Sequence, residues 1–368
     1  MIRKRSVAAL IACCLSLGLL PIAEAGANTY GKNNTHIVQD LSGMDVAAPQ
    51  KAERIVSLIP AVTQIVIALG GGDRLAAISG YGNMKGLEVI YPPIARIPSI
   101  TKMSGIDSRV NFEELMTLRP DVVFCMGRGQ SAQIEALGIP ALDMLVNNYD
   151  QLKKAVLIIG EMIGPGSLKK SVEYNAILDR NLARVRTVTD RMPLSDRPKV
   201  YYVWGADVLS TSGANTLVDD WIRYSGGVNI VGRVNGGGSG SAHLSIEQIV
   251  KENPDIIIIG GVNNAASMRT IQSNPVWSGI KAVKNHRVYS NPSGVFPWDR
   301  LGTDSTLQVL WAAKLFHPDK FKDISIENET KAYYKKLYNY ALTDGEVQLM
   351  LQGNQHWPDL SPAVKHSK

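Results

Sequence analysis

Residues 111–127 read NFEELMTLRPDVVFCMG, and residues 245–261 return the same plan as SIEQIVKENPDIIIIGG. In register, Glu113 pairs with Glu247, Pro120 with Pro254, Asp121 with Asp255 and Gly127 with Gly261, while apolar residues face apolar residues through most of the rest. The chain is therefore a duplicated half. Each copy predicts a helix that stops at its Pro-Asp and then a strand, Val122 to Cys125 or Ile256 to Ile259, without polar alternation and so buried on both faces. Upstream, RIVSLIP, AVTQIVIALGG and RLAAISGY (residues 54–81) are matched by KVYYVWG, NTLVDDWIRYSGG and VNIVG (residues 199–232). Strand, helix, glycine pair and strand occur twice in the same order. The first half closes with a strand near Ile139 to Leu145 and the second with Arg287 to Ser290. Strands alternating with helices predict parallel α/β sheets.

Between the halves lies SLKKSVEYNAILDRNLARVRTVTDR, Ser167 to Arg191. Leu168, Val172, Leu178, Leu182 and Val185 recur with a one-sided helical period. Ser167 can cap the start, and Pro193 bounds the end. About 24 residues at roughly 1.5 Å each make a rod of about 36 Å, long enough to span two small domains. The fold class is thus α/β, two Rossmann-like lobes bridged by a single long α-helix. The expected division is 37–160 for the N-terminal lobe, 161–196 for the bridging region, 197–320 for the C-terminal lobe and 321–368 for a C-terminal helix and tail. Helices are expected at Thr306 to Phe316 and around Glu329 to Leu342, with a loose tail over the last dozen residues.

The amino terminus reads as a secretory signal peptide over residues 1–25: Arg3, Lys4 and Arg5, an apolar run from Val7 to Ile22, then Ala23-Glu24-Ala25. Leu10-Ile11-Ala12-Cys13 loosely matches a lipidation box, which leaves lipid anchoring at Cys13 as an alternative. A polar leader follows to residue 36. Removing residues 1–25 takes the formal net charge from +6 to +4, too mild an excess to argue for nucleic acid. The mature chain would keep one cysteine, Cys125, read as a small buried hydrophobe. Export without an internal disulfide fits a bacterial periplasm.

Enzyme signatures are nearly absent. There is no Walker loop, and the six histidines are scattered rather than spaced as metal ligands. No metal site and no cofactor are expected. His243 follows the glycine-rich run NGGGSGS, residues 235–241, which reads as an anion cradle or, more simply, a flexible rim. Asp121 and Asp255 are explained by turn bonding at a helix-to-strand junction. The candidate ligand-binding residues stand at strand ends, where open α/β sheets bind ligands: Tyr81 with Asn83 and Met84, Arg128, Trp204 with Asp207, Asn263 with Asn264, and Trp298 and Arg300 with Phe296. For Trp298 and Arg300 the competing reading is a core indole and an internal pair between Asp299 and Arg300.

Three segments, RIVSLIPAVTQIVIALGGGDRLAAISGY, the paired Pro-Asp stretches and WDRLGTDSTLQVLWAAKLFHPDKF, resemble the periplasmic solute-binding proteins of ABC importers for iron-siderophores, haem and cobalamin. The resemblance spans about residues 37–321. It implies two lobes on a stiff helix with a shallow cleft between them, a monomer, no catalysis, and delivery of a bound metal chelate to a membrane permease. Iron(III)-siderophore leads the expected ligands; cobalamin, haem or a small oxyanion such as molybdate remain open, as does a chelatase-like two-lobed enzyme. The family docks on its permease through one glutamate per lobe. Alignment puts Gln64 and Arg223 at those positions, which departs from the family pattern and leaves Glu53 on the first lobe and Asp219 or Asp220 on the second as the nearby acids that could substitute.

Overall fold

The computed structural model describes residues 35–80, 85–101, 110–234, 240–261, 264–354 and 357–360. The expected signal peptide at residues 1–25, with Cys13, and the end of the expected tail at residues 361–368 lie outside the described residues. The leader is shorter than expected, because the hairpin β1 (Thr35–Gln39) and β2 (Asp45–Pro49) already includes Thr35 and His36. Asp40 at its turn accepts from the Asp143 N–H at 3.1 Å and ties the hairpin to the edge of the first sheet.

That sheet is built in chain order from β3 (Ile55–Ser57), α1 (Pro60–Ala68), β4 (Leu75–Ser79), α2 (Lys85–Ile90), β5 (Ser99–Thr101), α3 (Phe112–Leu118), β6 (Val122–Cys125), α4 (Arg128–Glu135) and β7 (Ala141–Asp143). Its five strands are parallel in the order β5-β4-β3-β6-β7. Two helices then run in succession, α5 (Tyr149–Ile163) and α6 (Pro165–Thr189), before the second lobe: β8 (Lys199–Trp204), β9 (Ser210–Ser212), α7 (Leu217–Tyr224), β10 (Val228–Asn229), β11 (Ser241–His243), α8 (Ile246–Glu252), β12 (Ile256–Gly260), α9 (Asn264–Ser273), α10 (Pro275–Ser278), α11 (Lys281–Lys284), β13 (Val288–Ser290) and α12 (Ser305–Phe316). Its parallel sheet has the order β10-β8-β12-β13. Two further helices, α13 (Ile326–Tyr338) and α14 (Asp344–Leu351), end the fold with a short 3-10 turn at Trp357–Leu360.

The duplication is visible atom by atom. Asp121 Oδ2 accepts from the N–H groups of Glu53 and Arg54 at 2.7 and 2.8 Å, and Asp255 Oδ2 accepts from Lys199 N–H at 2.8 Å. Each Pro-Asp therefore holds the entry of its lobe's first strand, the turn role its position suggests. The preceding helices are capped alike, by Asn111 and Ser245, and both stop on a left-handed residue, Arg119 or Asn253.

Successive residues of the central strands point into different cores. Val56, Val123 and Cys125 face a small cluster under α3 and α4, and Tyr201, Val203, Ile257 and Ile259 face the corresponding cluster of the second lobe. Ile55, Val122 and Phe124, and on the other side Val200, Tyr202, Ile256 and Ile258, face one large cluster that also takes in α1, α5, α6, α7 and α12. The lobes thus share their inner core, which opposes independent motion at every contact along the joint. Cys125 is wholly buried and free, and burial pushes its thiol pKa up.

The bridging helix is present, with corrections. It starts at Pro165 behind Gly164, so Ser167 is not its cap; Ser167 Oγ instead donates to Leu69 O at 2.8 Å. Leu178, Leu182 and Val185 are buried as the period requires, but Leu168 and Val172 are exposed. The buried stripe instead runs through Ser167, Ser171, Tyr174 and Ile177, because α5 packs flat against this half of α6 and small residues let the two axes approach. No helix among the described residues is long and apolar enough to cross a membrane.

Candidate ligand-binding cleft

In a parallel sheet the loops at the carboxyl ends of the strands face the ligand. In the second lobe these ends carry one well-defined constellation. Trp204, the last residue of β8, is 41% exposed, and the Arg300 guanidinium carbon lies 4.4 Å from its ring centroid. Arg300 is held from below by Asp299, a wholly buried carboxylate that accepts from Nε at 2.7 Å and Nη2 at 3.1 Å. Tyr202 Oη donates to Asp299 Oδ2 at 2.7 Å. Burial opposes the charge on Arg300, but the adjacent carboxylate outweighs it and its pKa is raised. The result is an internally neutral pair beneath an exposed indole.

The other candidates are placed differently. Trp298 is wholly buried in the shared core, so it does not line a cleft; the Pro-bounded loop turns its ring inward, and among the described residues no partner reaches its Nε1. Arg128 begins α4 and spends its guanidinium on Glu135, at 2.7 and 2.8 Å, and on Ser131 Oγ at 3.0 Å. His243 is exposed on β11 and pairs with Asp207 at 3.2 Å. Asp207 has a lowered pKa, first because its carboxylate accepts from Leu209 N–H. Tyr81, Asn83, Met84, Asn263 and the glycine-rich residues 235–239 lie outside the described residues. The structure therefore joins Trp204 to Arg300 and leaves Arg128 and His243 in pairs of their own. Among the described residues no three His, Cys, Asp or Glu side chains are grouped to hold a metal ion.

Gln64 and Arg223, the expected docking positions, turn out to mark the joint between the lobes. The left-handed glycines that end α1 and α7, Gly70 and Gly226, put Gln64 opposite Asp220 rather than opposite Arg223. Gln64 is wholly buried, and its Oε1 accepts from Thr303 N–H, at the mouth of α12, at 3.0 Å. Asp220 Oδ2 accepts from Tyr149 N–H, the first residue of α5, at 2.9 Å. Each lobe's first helix thus plants an acceptor on the amino terminus of the other lobe's last helix, satisfying a donor that no helical carbonyl can reach. Arg223 pairs with Asp220. Beside this second clasp a cavity of about 630 Å³ opens between the lobes, lined by Asn147 and Asn148 on one side and Asn215, Thr216, Asp219, Asp220, Arg223 and Gly240 on the other.

A family model described as "periplasmic binding protein" matches residues 55–294, which span both sheets and the helix between them. The chain belongs to the periplasmic binding protein family. Among its relatives, an uncharacterised ABC transporter substrate-binding lipoprotein of Bacillus subtilis is 26% identical over 297 residues, 78% of this chain and 87% of that protein. A vitamin B12-binding protein of Yersinia pestis is 27% identical over 257 residues, 68% of this chain and 80% of that protein. The molybdate periplasmic binding protein of Haemophilus influenzae, solved with molybdate bound, shares the fold with a TM-score of 0.73 at 19% identity, over 84% of this chain and 99% of that one. Like these relatives, the chain is a substrate-binding protein of ABC-transporter type rather than an enzyme.

Proposed function

We propose that this protein captures an organic metal chelate, an iron(III)-siderophore before others, outside the cytoplasm and delivers it to the permease of an ABC importer. The observation that supports this reading is the Trp204–Arg300 pair at the carboxyl edge of β8. The indole offers a broad apolar face to a ligand's rim. Arg300 stays charged beneath it, but Asp299 takes Nε and Nη2. Such a site grips by ring contact and the guanidinium donors that Asp299 leaves over rather than by net charge, which suits a chelate whose oxygens are already committed to their metal. Cobalamin is the second reading, favoured by the relatives named vitamin B12-binding protein. A small oxyanion is less well matched, because Asp219 and Asp220 put carboxylates in the inter-lobe cavity.

Docking falls to a different pair of residues than alignment suggested. Glu113 and Glu247 occupy the first turn of α3 and α8, are both exposed, and stand at matched positions of the repeat. Both helices run back from the carboxyl edges of their sheets, so the two carboxylates flank the cleft and suit arginines on a two-fold-related permease surface. Titrating the purified protein with ferric chelates and with cyanocobalamin, and following tryptophan fluorescence, tests the reading. Trp204→Ala should weaken saturable, stoichiometric binding at least tenfold with an unchanged melting temperature; catalytic turnover of the chelate would contradict it.

A further inference from the structure

Residues 326–354 and 357–360 lie beyond the matched family segment, yet they are not a loose tail. Tyr334, Met350 and Trp357 are wholly buried. The segment is anchored on the second lobe: Tyr334 Oη donates to Asp304 Oδ2 at 2.6 Å and accepts from Val295 N–H at 2.8 Å, and Ser293 N–H donates to Met350 O at 2.9 Å. It then reaches the first lobe at two points. Tyr338 Oη meets Gln64 Nε2, Thr303 Oγ1 at 2.6 Å and Asp304 Oδ1 at 3.3 Å. The indole of Trp357 donates to Gly294 O at 2.9 Å and lies so close over Gly86 that a Cβ there would stand 2.7 Å from its Cζ2.

Those last two contacts locate the segment relative to the cleft. Gly86 is in α2, seven residues beyond the carboxyl end of β4; Gly294 is four residues beyond the carboxyl end of β13. Both follow the ligand-facing edges of their sheets, one in each lobe, and one indole joins them. The matching end of the joint, beside Asp220 and Tyr149, has no such filling among the described residues and holds the open cavity instead.

From this we infer that the C-terminal segment is a specificity element: a strap that closes one end of the inter-lobe cleft and, through Trp357 and Tyr338, fixes its width. The inference rests on the cleft being the ligand site. A ligand held there must fit from the open end alone, so a compact chelate is favoured over one long enough to project from both ends, such as a corrinoid with its nucleotide tail; of the two ligand readings above, the strap therefore favours the first and counts against cobalamin.

The test uses the full-length protein, Trp357→Ala, and Trp357→Phe as a milder variant that keeps a ring against Tyr334 and Tyr340 but loses the bond to Gly294. Hydrogen exchange is read without ligand, so that it judges the strap whatever the protein binds; cyanocobalamin and a ferric trihydroxamate are then titrated as probes of two sizes. Trp357→Ala should speed exchange at least tenfold both in residues 85–90 and in residues 291–298, leave α9 unchanged, and raise cyanocobalamin affinity at least tenfold relative to the ferric probe, with Trp357→Phe moving the same way by less. Unchanged exchange in residues 85–90 would mean that the strap does not bridge the lobes. Faster exchange with unaltered selectivity between the probes would reduce it to a structural prop, and either result overturns the inference. Failure of the ferric probe alone to bind any variant would count against the proposed ligand, while the exchange and cyanocobalamin arms would still decide the strap.

Discussion

The two clasps between the lobes are the same device filled in two ways. At one, a neutral amide, Gln64, is wholly buried and bonded to Tyr338, whose ring packs on Tyr334; at the other a carboxylate, Asp220, shares its charge with Arg223 at the edge of an open cavity. A charged acceptor is easier to hold where water can reach it, and at the sealed end the neutral amide adds no second charge beside the buried Asp304 carboxylate. The same backbone scheme therefore gives a closed, structural end and an open, accessible one.

Truncation should separate them most sharply. Tyr334→Ala removes a buried ring and leaves Asp304 and the Val295 N–H short of a partner, and should cost about 3–5 kcal/mol; Arg223→Ala at the open clasp should stay within about 0.5 kcal/mol. Chemical denaturation of both variants measures the difference, and equal losses would end the distinction. Arg300→Ala belongs with the first group. It strands the buried Asp299 carboxylate and should cost about 3–5 kcal/mol of stability, so any change it causes in ligand affinity must be read beside its melting temperature.

The closed end should also carry a pH signature. Burial pushes the Asp304 pKa up to about 6, with hydrogen bonds from Tyr334 and Tyr338 opposing the shift. A carboxyl whose folded pKa lies above its unfolded value favours the protonated fold, so its contribution is a penalty that is fully present above about pH 6 and relieved as the pH falls toward 4, about 3 kcal/mol in all. Asp304→Asn should flatten that part of the stability profile between pH 4 and 6. An unaltered slope would place the titration elsewhere.

At the docking face the two lobes should act alike. Glu113→Ala and Glu247→Ala should each reduce uptake in a reconstituted importer and together nearly abolish it, while ligand binding in solution is untouched; a loss carried by only one of them would break the symmetry. The smallest effect concerns shape. Because the inner core is continuous from lobe to lobe, ligand should leave the radius of gyration in small-angle scattering unchanged within error, and a contraction would show that the clasps open.

Much of this architecture could be read along the chain. The apolar runs at Val122 to Cys125 and Ile256 to Ile259, the Pro-Asp turns and the paired glycines report local requirements, burial on both faces, bonding to the next strand and left-handed stops, which a residue meets within its own neighbourhood. The helix α5 was legible too, since Asn148 caps it and Leu152, Val156, Ile159 and Ile163 keep a helical period; closing the first half at the strand hid it. The strand-end positions of Trp204 and Arg300 were legible as well, and the structure stacks the two side chains there.

What the sequence by itself determined, then, is the duplicated α/β frame, the long helix and the carboxyl edges of the sheets, because periodicity and turn chemistry act over a few residues. The tertiary structure alone decided that Trp298 is core, that Asp299 occupies much of the Arg300 fork, that Gln64 answers Asp220 across the joint, and that Trp357 sits between Gly86 and Gly294. Each of these depends on a partner tens to hundreds of residues away, or on which way a loop turns its side chain, and no local pattern carries that information.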